Sequence, residues 1–139
     1  MLPSLRFHHI GVAVKSIEKT AGVYEQGGYS RSKTTLDSTR RVNICWLTRE
    51  GMPTVELVEP VDDSSPVCRT LGKDHAVTYH TCYVVESIST AIEELRDMNY
   101  LQVSEIEKAP ALHDSRICFL FNKDACLIEL VEAPATMVE

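Results

Sequence analysis

Residues 55–60 read VELVEP, and residues 128–133 repeat this pattern as IELVEA, 73 positions later (128 − 55). A second pair of matching segments lies upstream of these two. Residues 7–14 (FHHIGVAV) and 78–85 (TYHTCYVV) are both apolar runs typical of strands, and they are offset by 71 positions (78 − 7). Self-similarity at a nearly constant offset indicates two diverged copies of one structural module.

Both copies predict the same order of elements. Ser16 and Ser87 each follow the first strand, and a serine hydroxyl there can cap the first turn of a helix. Apolar residues then recur at helical spacing, which gives each helix one buried stripe. Three shorter strands are predicted next: 29–36, 41–48 and 53–59 in the first copy, and 100–107, 115–121 and 125–132 in the second. The sequence therefore predicts an α+β fold of two tandem βαβββ modules that form an open, barrel-like cleft.

The length and composition are those of an ordinary globular domain. We expect residues 1–139 to form one domain, with module one over 6–60 and module two over 75–133, joined near 66–74. Lys and Arg number 14 against 20 Asp and Glu, a net charge of −6, so binding to nucleic acid or to an anionic membrane is not expected. No apolar run approaches the roughly 18 residues of a membrane span.

The cysteines predict a reducing compartment. They are five in number, contain no CxxC pair and lie mostly within apolar runs, where cysteine packs as a small hydrophobic residue. The N-terminal residues MLPSLRFHHIG contain no signal-type apolar segment. We therefore expect a cytoplasmic protein.

Each module contains one histidine on its first strand and one glutamate on its last. Side chains alternate across a strand, so His9 and His80, like Glu56 and Glu129, share their faces with small or apolar neighbours. A carboxylate on an apolar face is costly to bury unless another group compensates its charge. Two modules related by a pseudo-twofold axis would bring the four side chains around one divalent metal ion. The alternative is two separate hydrogen-bonded His–Glu pairs, one in each module.

These motifs resemble a known superfamily. HHIGVAV followed by a helix, VELVEP followed by Ser65-Pro66, HTCYVV and LIELVE are similar to sequences of the glyoxalase-like, vicinal-oxygen-chelate superfamily, and among its members most similar to methylmalonyl-CoA epimerases. The resemblance extends from about residue 8 to residue 132. It implies a divalent ion (Co, Ni, Mn or Zn), a small-molecule substrate such as an acyl-CoA thioester, and a homodimer. By position, the metal ligands of the family correspond to His9, Glu56, His80 and Glu129.

The activity implied by this resemblance is the transfer of a proton next to a carbonyl group through a metal-stabilised enolate. Glu129 is our first choice of base, and Glu56 would face the other side of the substrate. Two carboxylates on opposite faces allow epimerisation. The alternatives are a lactoylglutathione lyase (glyoxalase I-type) reaction on a hemithioacetal, and a non-catalytic, resistance-type protein that binds a small compound.

The chain departs from the epimerase pattern at two places. Bacterial epimerases have a glutamate on the third strand of the first module as a proton-transfer base, and Asn43 is the matching residue here. Asparagine cannot accept a proton at neutral pH. The usual HPK element before the last strand is replaced by Phe121-Asn122-Lys123. Neither change affects the predicted metal ligands.

Overall fold

A computed structural model describes residues 5–71 and 74–134. Within these residues there are two α-helices and ten β-strands. They divide into two compact units, one containing residues 9–79 and the other residues 80–134 together with 5–8. Gly72 and Lys73, which belong to the predicted junction, lie outside the described residues.

Module one has the predicted βαβββ order with its second strand interrupted. Its elements are β1 (Arg6–Ala13), α1 (Ile17–Gln26), β2 (Ser30–Arg31), β3 (Thr35–Asp37), β4 (Val42–Thr48), β5 (Val55–Pro60) and a 3₁₀ helix (Pro66–Arg69). Strand β1 pairs in parallel with β5, and β5 pairs antiparallel with β4. Strands β2 and β3 both pair antiparallel with β4, so together they occupy the place of one predicted strand.

Module two repeats this order. Its elements are β6 (Val77–Val85), α2 (Ile88–Arg96), β7 (Leu101–Gln102), β8 (Glu107–Ala109), a 3₁₀ helix (Pro110–Leu112), β9 (Ser115–Asn122) and β10 (Cys126–Glu132). Strand β6 pairs in parallel with β10, which pairs antiparallel with β9, and β7 and β8 both pair with β9. The α+β class and the tandem βαβββ organisation are thus confirmed.

Both interruptions have the same cause. The predicted strands 29–36 and 100–107 each break at a serine whose hydroxyl oxygen accepts a backbone N–H of the neighbouring strand. Ser32 Oγ accepts the Trp46 N–H at 2.8 Å, and Ser104 Oγ accepts the Phe119 N–H at 2.8 Å. A side-chain acceptor there replaces a backbone carbonyl, which divides one strand into two short pieces.

The helix boundaries follow the predicted capping residues. Ser16 Oγ accepts the Lys19 N–H at 3.1 Å, and Ser87 Oγ accepts the Thr90 N–H at 3.3 Å, as expected of helix N-caps. After α1, Gly28 has a φ of +93°, a conformation that glycine adopts without steric cost. Asn99 follows α2 at the equivalent position with a φ of +68°, and asparagine tolerates this region better than most residues.

In each unit the helix packs on one face of the strands. The buried cluster of the first unit contains Val12, Val14, Ile17, Ala21, Cys45, Leu47, Val55 and Leu57. That of the second contains Val85, Ile88, Ala91, Ile92, Leu95, Cys118, Leu120, Ile128 and Leu130. Burial raises the pKa of the Cys45 and Cys118 thiols, so these cysteines act as small apolar residues. The opposite face of each set of strands is left for the candidate site.

All five cysteines are free thiols in the structure. Among the described residues, neither helix has the length and hydropathy needed to cross a membrane.

Candidate metal centre

Module one brings its predicted histidine and glutamate together. Strand β1 pairs with β5 so that Gly11 lies opposite Glu56, and His9 shares its strand face with Gly11. His9 Nε2 lies 3.3 Å from Glu56 Oε1, and both side chains are buried. The parallel pairing of the first and last strands therefore places the two residues side by side, although 47 positions separate them in the chain (56 − 9).

Module two contains the same arrangement. Cys82 lies opposite Glu129 in the pairing of β6 with β10, and His80 shares its strand face with Cys82. His80 Nε2 lies 3.2 Å from Glu129 Oε1, and both side chains are again buried. The two pairs agree in atoms, distance and burial, so both modules preserve the same local geometry.

An aromatic ring packs against each imidazole. The Trp46 ring lies edge-to-face with His9 at a centroid separation of 4.9 Å, and Phe119 lies edge-to-face with His80 at 5.4 Å. Trp46 is directly opposite Glu56 on the neighbouring strand, as Phe119 is opposite Glu129. Each ring thus restricts the orientation of one imidazole and covers one side of it.

Trp46 and Phe119 were not identified as site residues from the sequence. A signal for them is nevertheless present, because they are separated by 73 positions (119 − 46), the same offset that relates Glu56 to Glu129. Since their residue types differ, the correspondence is recognisable only after the strands have been aligned.

A second glutamate in each module has a structural role. Glu59 Oε2 accepts the Ile17 N–H of α1 at 3.1 Å, and Glu132 Oε2 accepts the Ile88 N–H of α2 at 2.9 Å. These carboxylates lie at helix N-termini, where the helix dipole favours negative charge. They point to the helix-bearing face of their strands, opposite to Glu56 and Glu129.

Asn43 does not lie on the face of the candidate site. It pairs with Glu59, whereas Trp46 pairs with Glu56, so the alternation along β4 directs Asn43 towards the helix side. The neighbouring residue on the site face is Ile44, which is buried and apolar. None of the β4 residues that share the face of Glu56 is a carboxylate, so β4 supplies no further base to this half of the site.

The donor atoms fit a divalent transition metal. Each of the four predicted residues offers one imidazole nitrogen or carboxylate oxygen, the ligand types preferred by Zn, Ni, Co and Mn. Two ligand atoms about 2.1 Å from one ion, at angles of about 90–110°, lie roughly 3.0–3.4 Å apart. The separations of 3.3 Å and 3.2 Å within the two modules are in this range.

Comparisons with known proteins identify a family and several relatives. Residues 8–133 match the family model described as the Glyoxalase/Bleomycin resistance protein/Dioxygenase superfamily. The chain is 28% identical over 129 residues to the ethylmalonyl-CoA/methylmalonyl-CoA epimerase of Cereibacter sphaeroides, an alignment that covers 90% of this chain and 96% of that protein.

Two solved structures share the fold. The methylmalonyl-CoA epimerase of Mycobacterium tuberculosis superposes with a TM-score of 0.79 at 27% identity, covering 94% of this chain and 88% of that one. A variant of the Streptomyces coelicolor methylmalonyl-CoA epimerase, in complex with 2-nitronate-propionyl-CoA, superposes with a TM-score of 0.77 at 25% identity, covering 94% and 98%. The likeness to these epimerases spans both modules. With its tandem βαβββ modules and a His–Glu pair in each, the chain belongs to the Glyoxalase/Bleomycin resistance protein/Dioxygenase superfamily.

Proposed function

We propose that this protein is a metal-dependent epimerase that moves a proton next to the carbonyl group of an acyl-CoA thioester, as methylmalonyl-CoA epimerases do. The observation that carries the proposal is the presence of a buried His–Glu pair with the same geometry in each of two modules. Similarity to epimerases over 90% or more of the chain supports the choice of reaction.

The proposed metal ligands are His9, Glu56, His80 and Glu129, with one divalent ion (Co, Ni, Mn or Zn) shared by the two modules. The distance within each pair is compatible with both members of that pair being ligands of one ion. A charge-assisted N–H···O bond is typically about 2.7–2.9 Å long. The observed 3.3 Å and 3.2 Å exceed that length and match the spacing of two ligands on one ion.

When bound, a divalent ion would supply Lewis-acid stabilisation of the negative charge that develops on a carbonyl oxygen as the neighbouring carbon loses its proton. The proton itself must be moved by a side chain. Glu129 is the proposed base, and Glu56, its counterpart in module one, faces the other side of the substrate in this proposal. The described residues of β4 that share the face of Glu56 include no carboxylate, so β4 offers no alternative to these two glutamates.

The substrate class rests on the relatives. The Streptomyces coelicolor structure contains 2-nitronate-propionyl-CoA, an acyl-CoA analogue, and the Cereibacter sphaeroides relative is named for two alkylmalonyl-CoA substrates. We infer that this chain acts on an acyl-CoA thioester of the same kind. The cytoplasmic location and the homodimer remain predictions.

The test is solvent proton exchange. The purified protein is loaded with Co²⁺, Ni²⁺, Mn²⁺ or Zn²⁺, incubated with methylmalonyl-CoA in D₂O, and analysed for deuterium at the α-carbon and for metal content. The wild type is expected to exchange this proton. The Glu129→Gln variant is expected to lose about 10²- to 10⁴-fold in rate, the usual contribution of a general base.

Glu132→Gln is the matched control, because it changes the same residue type on the same strand but on the opposite face, and it should retain the wild-type exchange rate. Full activity in Glu129→Gln would show that the assignment of the base is wrong. If the wild type binds metal but exchanges only a hemithioacetal of glutathione, the reaction is of the lactoylglutathione lyase type. Failure to bind any metal would leave a non-catalytic binding protein.

A further inference from the structure

A second carboxylate lies on the site face of module two. Glu107 belongs to β8 and pairs with Ile117 of β9. Ile117 is two residues from Phe119, whose ring packs against His80 and whose strand partner is Glu129. Residues two apart on a strand share a face, and so do residues that pair directly across two strands. Glu107 therefore points to the face that bears His80 and Glu129.

The neighbours of this pair lie on the opposite face. Ile106, next to Glu107, packs against the buried cluster under α2. Arg116, next to Ile117, donates from Nη1 to Glu132 Oε1 at 3.1 Å, and Glu132 points to the helix-bearing face. Because side chains alternate along each strand, both contacts agree with the assignment of Glu107 to the site face.

The Glu107 carboxylate is available to a ligand. The side chain is partly buried. Within residues 5–71 and 74–134, no hydrogen-bond donor or basic side chain contacts this carboxylate. An ionised carboxylate accepts hydrogen bonds and donates none, so a substrate group that contacts Glu107 must carry an N–H or an O–H.

Module one does not repeat this feature. Thr35 is the counterpart of Glu107, because each pairs with the isoleucine two residues before the aromatic ring of its module. The carboxylate on the same face of β3 belongs to Asp37, which is buried. Asp37 accepts the Arg40 backbone N–H at 3.1 Å and forms an ion pair with Arg40 Nη1 at 2.6 Å. Its charge is thus balanced within the fold, whereas that of Glu107 is left for a ligand.

The distance between Glu107 and Glu129 suits an extended substrate. Two strand spacings of about 4.8 Å and one step of two residues, about 6.8 Å, separate their Cα atoms by roughly 12 Å. In a thioester of pantetheine, the first amide nitrogen is four bonds from the carbonyl carbon, which is about 5 Å in an extended chain. The Glu107 side chain also spans four bonds from Cα to Oε, and an N–H···O hydrogen bond adds about 2.9 Å. These lengths together reach about 13 Å, enough to connect Glu107 with a carbonyl group beside Glu129.

We infer that Glu107 is a specificity-determining residue, whose carboxylate accepts a hydrogen bond from the first amide N–H of the substrate's pantetheine arm. This inference rests on the proposed function, in which the substrate is an acyl-CoA thioester. The negative charge of Glu107 repels anions, so the phosphates of coenzyme A and a carboxylate of the acyl group are unfavourable at this position. The pantetheine amide is neutral and offers the required donor.

The test compares two methylmalonyl thioesters that differ in this amide. The thioester of N-acetylcysteamine contains it, and the thioester of pentane-1-thiol replaces it with methylenes in a chain of the same length. The measured quantity is the ratio of kcat/KM for the two compounds. Glu107→Ala is expected to lower this ratio about tenfold, the effect of one hydrogen bond to a charged group. The change should appear mainly in KM, because the contact is made equally in the ground state and the transition state.

Two further variants sharpen the comparison. Glu107→Gln retains an oxygen acceptor without the charge, so it should give an intermediate ratio, and it provides a result even if Glu107→Ala folds poorly. Glu93→Ala is the matched control, since Glu93 is exposed on α2 and should keep the wild-type ratio. An unchanged ratio in Glu107→Ala would overturn the inference. An equal loss of kcat for both thioesters would also overturn it, because Glu107 would then act in proton transfer.

A binding measurement separates this inference from the proposed function. Equilibrium binding of the same two thioesters is measured by calorimetry. If the wild type exchanges no proton but binds the amide-containing thioester more tightly, and Glu107→Ala removes that preference, the proposed function fails and the assignment of Glu107 stands. If the wild type exchanges the proton of methylmalonyl-CoA and the preference is the same in Glu107→Ala, the proposed function stands and the inference is wrong.

Discussion

At the scale of single residues, glutamates three positions apart have different tasks in this protein. Glu56 points to the site face and lies 3.3 Å from His9, whereas Glu59 points to the helix face and accepts the Ile17 N–H. Strand alternation explains the difference, since an odd separation reverses the face. The residue type alone therefore does not identify a candidate ligand. The strand face on which the residue lies is also needed.

The role of Glu59 predicts a measurable loss of stability on neutralisation. We expect Glu59→Gln to lower the free energy of unfolding by about 0.3–1 kcal/mol, because the charge that interacts with the α1 dipole is removed while an oxygen acceptor remains. Urea denaturation at low ionic strength measures the change. Glu93→Gln, at an exposed position on α2, is the control. A loss no greater than that of the control would contradict the assigned role.

At the scale of elements, the second strand of each module is divided by a serine. Ser32 and Ser104 accept the N–H groups of Trp46 and Phe119, the two residues whose rings pack on the site histidines. The serine hydroxyl at each interruption therefore anchors the backbone of one aromatic residue. These two serine hydrogen bonds hold the backbone of the residues whose rings pack against His9 and His80.

Removing one of these acceptors should loosen the backbone around the aromatic residue. We expect Ser32→Ala to destabilise the protein by about 1–3 kcal/mol, because the Trp46 N–H loses its partner within the sheet. Amide hydrogen exchange of Trp46 should accelerate accordingly. Ser38→Ala, which changes an exposed serine, is the control and should leave this exchange rate unchanged. Unaltered exchange at Trp46 in Ser32→Ala would show that this hydrogen bond does not anchor the strand.

At the scale of the whole molecule, the repeat explains why a chain of 139 residues has two sets of candidate ligands. Each module supplies one imidazole and one carboxylate, and a metal ion usually needs more ligands than two. A site shared by both modules would depend on both of them, whereas two independent pairs would function separately. Metal stoichiometry distinguishes these two arrangements.

We expect one divalent ion per chain. Saturation at 100 times Kd should stabilise the folded protein by about 2.7 kcal/mol. His9→Ala and His80→Ala, one change in each module, should each remove both the bound ion and the stabilisation, as measured by elemental analysis and thermal unfolding. His75→Ala, at an exposed histidine, should preserve both. Two ions per chain, or retention of the ion in either site variant, would contradict a shared site.

Much of the fold follows from local patterns in the sequence. The repeat, the serine caps and the alternation of apolar residues predict the two βαβββ modules, because these features depend on neighbouring residues and on fixed periods of 2 and 3.6. The same alternation identifies His9, Glu56, His80 and Glu129 as candidate site residues before any strand is paired.

The sequence by itself therefore determined the modules, their helices and the four candidate ligands, whereas the tertiary structure decided which residues surround them. The register of β4 on β5 places Trp46, rather than Asn43, beside His9 and Glu56, and the register of β8 on β9 puts Glu107 opposite Ile117. A shift of one residue would reverse each of these assignments. Strand register is set by packing between segments far apart in the chain, so local patterns do not contain it.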